Sequence, residues 1–199
     1  MPEATSRTHR AVLSLIAVAL SATAAIITAD RAEAATGGEV CLVLAPNNVD
    51  LGAGPVGHIG WAFRNGTSST WTFGATENND KTGKTNGTFI ETSSWNTMLS
   101  TFKKRHSGNQ QYVKYRCLNT PSSDTAKAQQ AARTSATNGY NLLSNNCLTK
   151  SVDIFHAYSP WLNDTRHLPD PKLLGVSKFP NHYYNDLLPE AGWGATHNL

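Results

Sequence analysis

The sequence lacks the marks of several common protein classes. Its histidines are scattered, and His106, His167, His182 and His197 show no metal-ligand spacing, so the pattern offers no metal site and implies no cofactor. Basic residues barely outnumber acidic ones, 17 against 14, for a net charge of +3. That balance is not the profile of a nucleic-acid binder; it favours anionic surroundings such as a bacterial wall, and only weakly at physiological salt. There is no internal repeat, no second domain and no spanning segment beyond the N-terminal run. Cysteine is scarce: there are three, Cys41, Cys117 and Cys147, and an odd number leaves one over or pairs it with another molecule.

The N-terminus has a clear pattern. Arg7, His9 and Arg10 precede an almost uncharged run from Ala11 to Ala29, followed by Asp30-Arg31 and the small-residue exit Ala32-Glu33-Ala34-Ala35. A charged start, an apolar middle and an A-x-A cut site make a secretory signal peptide over residues 1–34, cut after Ala34 or Ala35. The run approaches the length of a membrane span, but its many Ala, Ser and Thr and its cleavable end favour removal over retention. Three arginines and three acids leave with it, so residues 35–199 keep the +3 balance. Their length suits a single domain with one core, exported to a compartment that permits disulfides, and with no stable membrane insertion once the signal is gone.

Cys41 lies in a strand-like EVCLVL segment and Cys117 in QYVKYRCL. If those strands are neighbours, they carry the bridge and Cys147 is the free thiol. A strand is expected over Val40 to Ala45, and a β-hairpin from His58-Ile59-Gly60-Trp61-Ala62-Phe63 through the Arg64–Thr67 turn to Thr70–Ala75. Alternation sets Ile59, Trp61 and Phe63 on one face and His58, Gly60 and Ala62 on the other. Residues 77–86 are polar and aperiodic, a surface loop. Trp95 to Phe102 suits a short helix, and the basic run Lys103–His106 after it is a solvated face without a role. Pro121-Ser122-Ser123-Asp124 and Ser144-Asn145-Asn146 read as helix starts offering cap side chains, ahead of helices over Thr125–Thr137 and Cys147–Tyr158. From about residue 160, Pro, Asn and aromatics predict an irregular tail wrapped on the core.

Cys147 therefore opens a helix. A thiol attacks as thiolate, and its free pKa of about 8.5 leaves little at neutral pH. A helix start lowers that pKa through its exposed N–H groups, and an adjacent imidazole lowers it further by forming an ion pair. His58, if it packs against this helix end, supplies the imidazole, and the N–H groups around Cys147 are candidates to receive the oxyanion of a tetrahedral intermediate.

His58-Ile59-Gly60 opening one strand, Phe73-Gly74-Ala75 ending the next, and Tyr140-Asn141-Leu142-Leu143-Ser144-Asn145-Asn146-Cys147 opening a helix resemble the circularly permuted branch of the NlpC-type papain-like cysteine enzymes. That branch includes lecithin retinol acyltransferase-like proteins and permuted bacterial peptidases, with histidine before cysteine in the chain. The resemblance runs from about Val40 to Tyr158. It implies Cys147 as nucleophile, His58 as general base and an acyl-enzyme resolved by water or an amine. Relatives carry a third polar residue on the strand after the histidine. Here that strand offers Thr70, Thr72 and Gly74, with Glu77 and Asn78 just past its end and able to reach back.

The expectation is an α+β domain, a small antiparallel sheet packed on helices in the permuted papain-like arrangement. Its expected function is a secreted, monomeric cysteine hydrolase cleaving amide bonds in protein or cell-wall peptide. Its partners would be peptide, peptidoglycan or acyl substrates, and no nucleic acid. An acyltransferase or lipid esterase on the same Cys147/His58 pair is the rival, favoured by a hydrophobic groove beside Cys147. Two non-enzymatic alternatives are a catalytically inactive secreted binding or inhibitory protein and a structural protein whose Cys147 links two chains.

Overall fold

Six strands form one antiparallel sheet in the order β4-β3-β2-β1-β5-β6. They belong to a computed structural model that describes residues 35–77, 87–172 and 179–199; the predicted signal peptide and Asn78 fall outside these, as does all but the first residue of the predicted 77–86 loop. The strands are β1 (Ala35–Ala45), β2 (His58–Arg64), β3 (Thr70–Glu77), β4 (Gly87–Ser94), β5 (Lys114–Ser123) and β6 (His197–Asn198). Three helices complete the frame: α1 (Trp95–Arg105), α2 (Thr125–Ser135) and α3 (Cys147–Tyr158). The architecture is α+β, and among the described residues no helix is long and apolar enough to cross a membrane.

Period-two alternation explains why the sheet has a core on each face. Val40, Leu42, Leu44, Ile59, Trp61 and Phe63 point one way, against Leu148, Val152 and Phe155 of α3 and the C-terminal residues Tyr183, Tyr184 and Leu188. Cys41, Val43, Ala62, Phe73 and Ala75 point the other way, against Met98 and Phe102 of α1 and Tyr112. A sheet buried on both sides has no solvent face in its middle strands, and β1 from Val40 to Ala45 is accordingly fully buried. Gly60 is what lets α1 come close: a Cβ there would collide with the Phe102 ring.

Each helix begins where the sequence predicts. Ser94 accepts the Thr97 N–H at 3.4 Å, Asp124 accepts that of Lys127 at 3.0 Å, and Asn146 accepts those of Leu148 and Thr149 at 2.9 and 3.0 Å. Cys41 and Cys117 stand opposite one another on β1 and β5 and form a disulfide, leaving Cys147 as the free cysteine.

Two expectations need correction. Lys103, Lys104 and Arg105 belong to α1, which runs a turn beyond Phe102, and His106 caps its end. The tail is also not irregular throughout: a 3₁₀ turn spans Pro160–Asn163, residues 180–190 are helical with a π turn at Tyr183–Leu187, and β6 pairs with β5. Pro180 starts that helical segment, where its missing N–H has no partner to lose, and buried Tyr183, Tyr184 and Leu188 hold it to the core.

Candidate active site

His58 is the first residue of β2. Gly57 before it has φ +84°, a region L side chains rarely adopt, and a Cβ there would run into Asn181. Asn181 fixes the approach to the strand. Its Nδ2 donates to the carbonyls of Pro46 at 2.9 Å and Pro55 at 3.0 Å, and its backbone N–H donates to Val56 at 3.0 Å. The C-terminal helical segment thus pins the loop that delivers His58.

Cys147 is the first residue of α3. Asn146 and Thr149 form a reciprocal capping box, with the Asn146 N–H donating to Thr149 Oγ1 at 2.9 Å. Asn146 Nδ2 also donates to the Leu142 carbonyl at 2.8 Å, anchoring the preceding loop. One turn on, buried Lys150 donates from Nζ to the Ser135 carbonyl, Asn138 Oδ1 and the Gly139 carbonyl at 2.5, 2.5 and 2.6 Å. The α2–α3 connection is thereby clamped to the helix that carries the thiol.

The thiol is 4% exposed. The backbone N–H groups of Ile59, Leu148 and Cys147 itself lie close enough to the sulfur to act on its charge. The Ile59 contact sets the sulfur beside the backbone of the residue that follows His58. Those donors favour thiolate, yet burial outweighs them and pushes the thiol up to about 11, with Glu77 adding a smaller push the same way. This corrects the expectation that the helix start lowers it.

The His58 ring is also 4% exposed and turned toward the α1 side of the sheet, with ring centroids 5.7 Å from Tyr112 and 6.1 Å from His106. Neither Nδ1 nor Nε2 makes a hydrogen bond among the described residues, so thiol and imidazole are not joined. Burial lowers the imidazole to about 4, against the Glu77 carboxylate, which favours the charged form, and with a smaller push from His106. The resting pair is a neutral thiol and a neutral imidazole.

Glu77 ends β3. The register that pairs Gly60 with Ala75 and Arg64 with Trp71, continued by two residues, sets Glu77 across from His58. It is 6% exposed, and Oε1 lies 3.1 Å from His106 Nε2 and 3.4 Å from Arg105 Nε. Burial raises the carboxyl, but His106, His58 and Arg105 together outweigh burial and hold it below the usual carboxylate range. The Tyr112 hydroxyl lies near this carboxylate without reaching full hydrogen-bond geometry. Of the other candidates for a third residue, Thr72 is engaged at the opposite end of the strand by Asn65, Thr92 and Gln129, and Thr70 by Asn65 and Ser68.

No protein-family model, no curated protein and no solved structure matches the chain. What the site can do therefore rests on its own geometry. A narrow cleft opens beside Cys147, lined by Val49, Leu51, Val56, Tyr140, Leu142 and Phe179. Its cavity volume of about 20 Å³ admits roughly one water-sized group. The walls are apolar, and Leu51 and Leu142 remain exposed at 44% and 42%. His106 is the residue that sequence reasoning missed: its place in a basic run hid it, and only the α1 path across β3 brings it to Glu77.

Proposed function

We propose that the chain is a secreted cysteine hydrolase in the permuted NlpC-type papain-like arrangement, acting on an amide bond whose acyl side carries an apolar group. Cys147 is the nucleophile, and His58 receives its proton as the thiol attacks the carbonyl carbon. Glu77 orients the imidazole and stabilises the imidazolium that forms, with His106 and Arg105 positioning Glu77. The tetrahedral oxygen is met by the Cys147 N–H, because Asn146 already engages those of Leu148 and Thr149. The imidazolium passes its proton to the leaving amine, whose expulsion leaves an acyl-enzyme; water then gives a proton to His58 as it attacks the acyl carbon, and the proton returns to sulfur as the acid departs.

The observation that carries this reading is the convergence at one end of the sheet of a free thiol opening α3, a histidine opening β2 and a carboxylate closing β3. Export rests on the predicted signal sequence and on the Cys41–Cys117 bridge, which suits an oxidising compartment.

The apolar cleft favours a second reading, an acyltransferase or lipid esterase on the same residues. Both are tested by incubating the protein with acetyl, butyryl and octanoyl p-nitrophenyl esters and with matched peptide anilides, followed by intact-mass and peptide mass spectrometry. The hydrolase reading expects an acyl adduct on Cys147 that is absent from Cys147→Ser and strongly reduced in His58→Ala, with turnover of anilides bearing an apolar acyl-side residue. Turnover confined to long-chain esters selects the lipid reading. Absence of any adduct overturns both and leaves a binding protein on this frame.

A further inference from the structure

The neighbourhood of His58 holds more than an orienting carboxylate. His58, Glu77 and His106 come from three elements, β2, β3 and the end of α1, and each presents a ligand-type atom within 4.8 Å of the others. Two imidazoles and a carboxylate form a donor set that suits Zn²⁺ and its neighbours, not Ca²⁺ or Mg²⁺. Around a tetrahedral Zn²⁺ with bonds of about 2.0–2.2 Å, ligand atoms sit roughly 3.4 Å apart. His106 Nε2 and Glu77 Oε1, at 3.1 Å, are already near that separation, so a side-chain adjustment of at most about 1.4 Å by His58 completes the set.

A second observation points to a ligand independently. Among the described residues both ring nitrogens of buried His58 are unpartnered, and so is the nearby Tyr112 hydroxyl. A buried imidazole without any hydrogen bond is costly, and a bound cation is one of the few groups that offers its lone pair a partner. The approach lies past His106, whose side chain is 21% exposed, whereas that of Glu77 is 8% exposed. Arg105 opposes a cation from its place beside Glu77 Oε1, the oxygen that also faces His106, and it sets a limit on affinity.

We propose that His58, Glu77 and His106 form a binding site for a divalent transition metal of the Zn²⁺ class. The site itself does not depend on the hydrolase reading. Its consequence does: a metal on His58 takes the lone pair that would accept the thiol proton, so an occupied site is an inhibited enzyme.

The test is titration of the folded protein with Co²⁺, read by visible absorption, and with Zn²⁺, read by calorimetry, in the absence of any substrate. One metal per chain is expected, with the intense d–d absorption of a low-coordinate cobalt site. His106→Ala should weaken binding by at least about tenfold with its circular dichroism unchanged, and His106→Gln is the fallback should it misfold. Cys147→Ser should bind as the wild type does. No binding by the wild type, full binding by His106→Ala or His106→Gln, or loss of binding in Cys147→Ser overturns the site. Where Cys147 acylation is observed, saturating Zn²⁺ should slow it at least tenfold and a chelator restore it; an unchanged rate overturns the inhibitory role. Failure of acylation without metal counts against the hydrolase reading alone, because the cobalt spectrum is measured without substrate.

Discussion

Replacing His58 should change how stability depends on pH. An unfolded histidine titrates near 6.5, whereas burial holds folded His58 neutral down to about 4. Between those values the unfolded chain binds a proton that the folded chain refuses, so unfolding takes up a proton and is favoured as pH falls. Stability from this residue is complete above pH 6.5, declines at about 1.4 kcal/mol per pH unit below it, and levels off once the folded ring also protonates. By pH 5, with Glu77 still ionised in both states, the loss reaches about 2 kcal/mol. The assay is urea unfolding of wild type and His58→Gln at pH 7, 6 and 5 under non-reducing conditions. With a urea slope of about 1–3 kcal/mol per molar, the wild-type midpoint should drop by roughly 1–2 M more than that of the variant. Parallel profiles would refute the buried, neutral imidazole, since His156 and every other titrating group remain in the variant. Zn²⁺ in the buffer would move the wild-type curve, so the series is run with a chelator present.

Further outcomes follow from other parts of the molecule. Iodoacetamide labelling of Cys147 should titrate above the free-thiol pKa of about 8.5, with little change in His58→Ala; a titration well below it would show a preformed ion pair and refute the neutral resting state. Replacing both Cys41 and Cys117 by Ala frees a loop with a sequence separation of 76. Chain entropy puts the loss at about 4.5 kcal/mol in denaturant melts, and a loss under about 1 kcal/mol would mean that the unfolded chain is already restrained. Lys150→Met removes the donor shared by three neutral acceptors and should destabilise by about 1–3 kcal/mol, with enhanced proteolysis of the 136–146 connection. Gly60→Ala forces Phe102 aside and should cost about 1–3 kcal/mol, read as a lower thermal midpoint; a neutral result would mean that α1 shifts freely.

What was legible in the sequence is what local pattern controls. The Ile59/Trp61/Phe63 alternation gave both faces of β2, the Asn146 cap gave the start of α3, and matching strand composition around Cys41 and Cys117 gave a pairing that the β1–β5 register realises. Glu77 was half legible: counting back through the hairpin from the Arg64–Thr70 turn already sets it opposite His58. Edge strand β4 was not legible, because only Phe89 is buried and its polar neighbours leave no clear alternation. The C-terminal helical segment carries Pro180 and Pro189, which weaken any helical signal, and its stability comes from tertiary contacts of Tyr183 and Tyr184. His106 was invisible for a similar reason: its partner lies 29 positions earlier and meets it only after α1 crosses the sheet face.

The same burial that completes the core sets the chemistry of the site. Packing Cys147 under the loop that ends at Gly57 raises its thiol, and packing His58 against Tyr112 lowers its imidazole, so each move away from water pulls the two groups further from an ion pair. Helix-start N–H groups at the thiol and Glu77 at the imidazole act in the opposite sense and lose to desolvation, while Glu77 adds to the rise at the thiol. In the hydrolase reaction we propose, a substrate carbonyl entering the apolar cleft changes that balance, because attack by sulfur and protonation of His58 would occur together and the imidazolium would then face the ionised Glu77 across the strands. On that proposal Glu77 would stabilise a state that exists only as the bond forms, while at rest it contacts His106 and Arg105. A carboxylate already held by two partners reorganises little when the third charge appears, which is the property an electrostatic stabiliser needs.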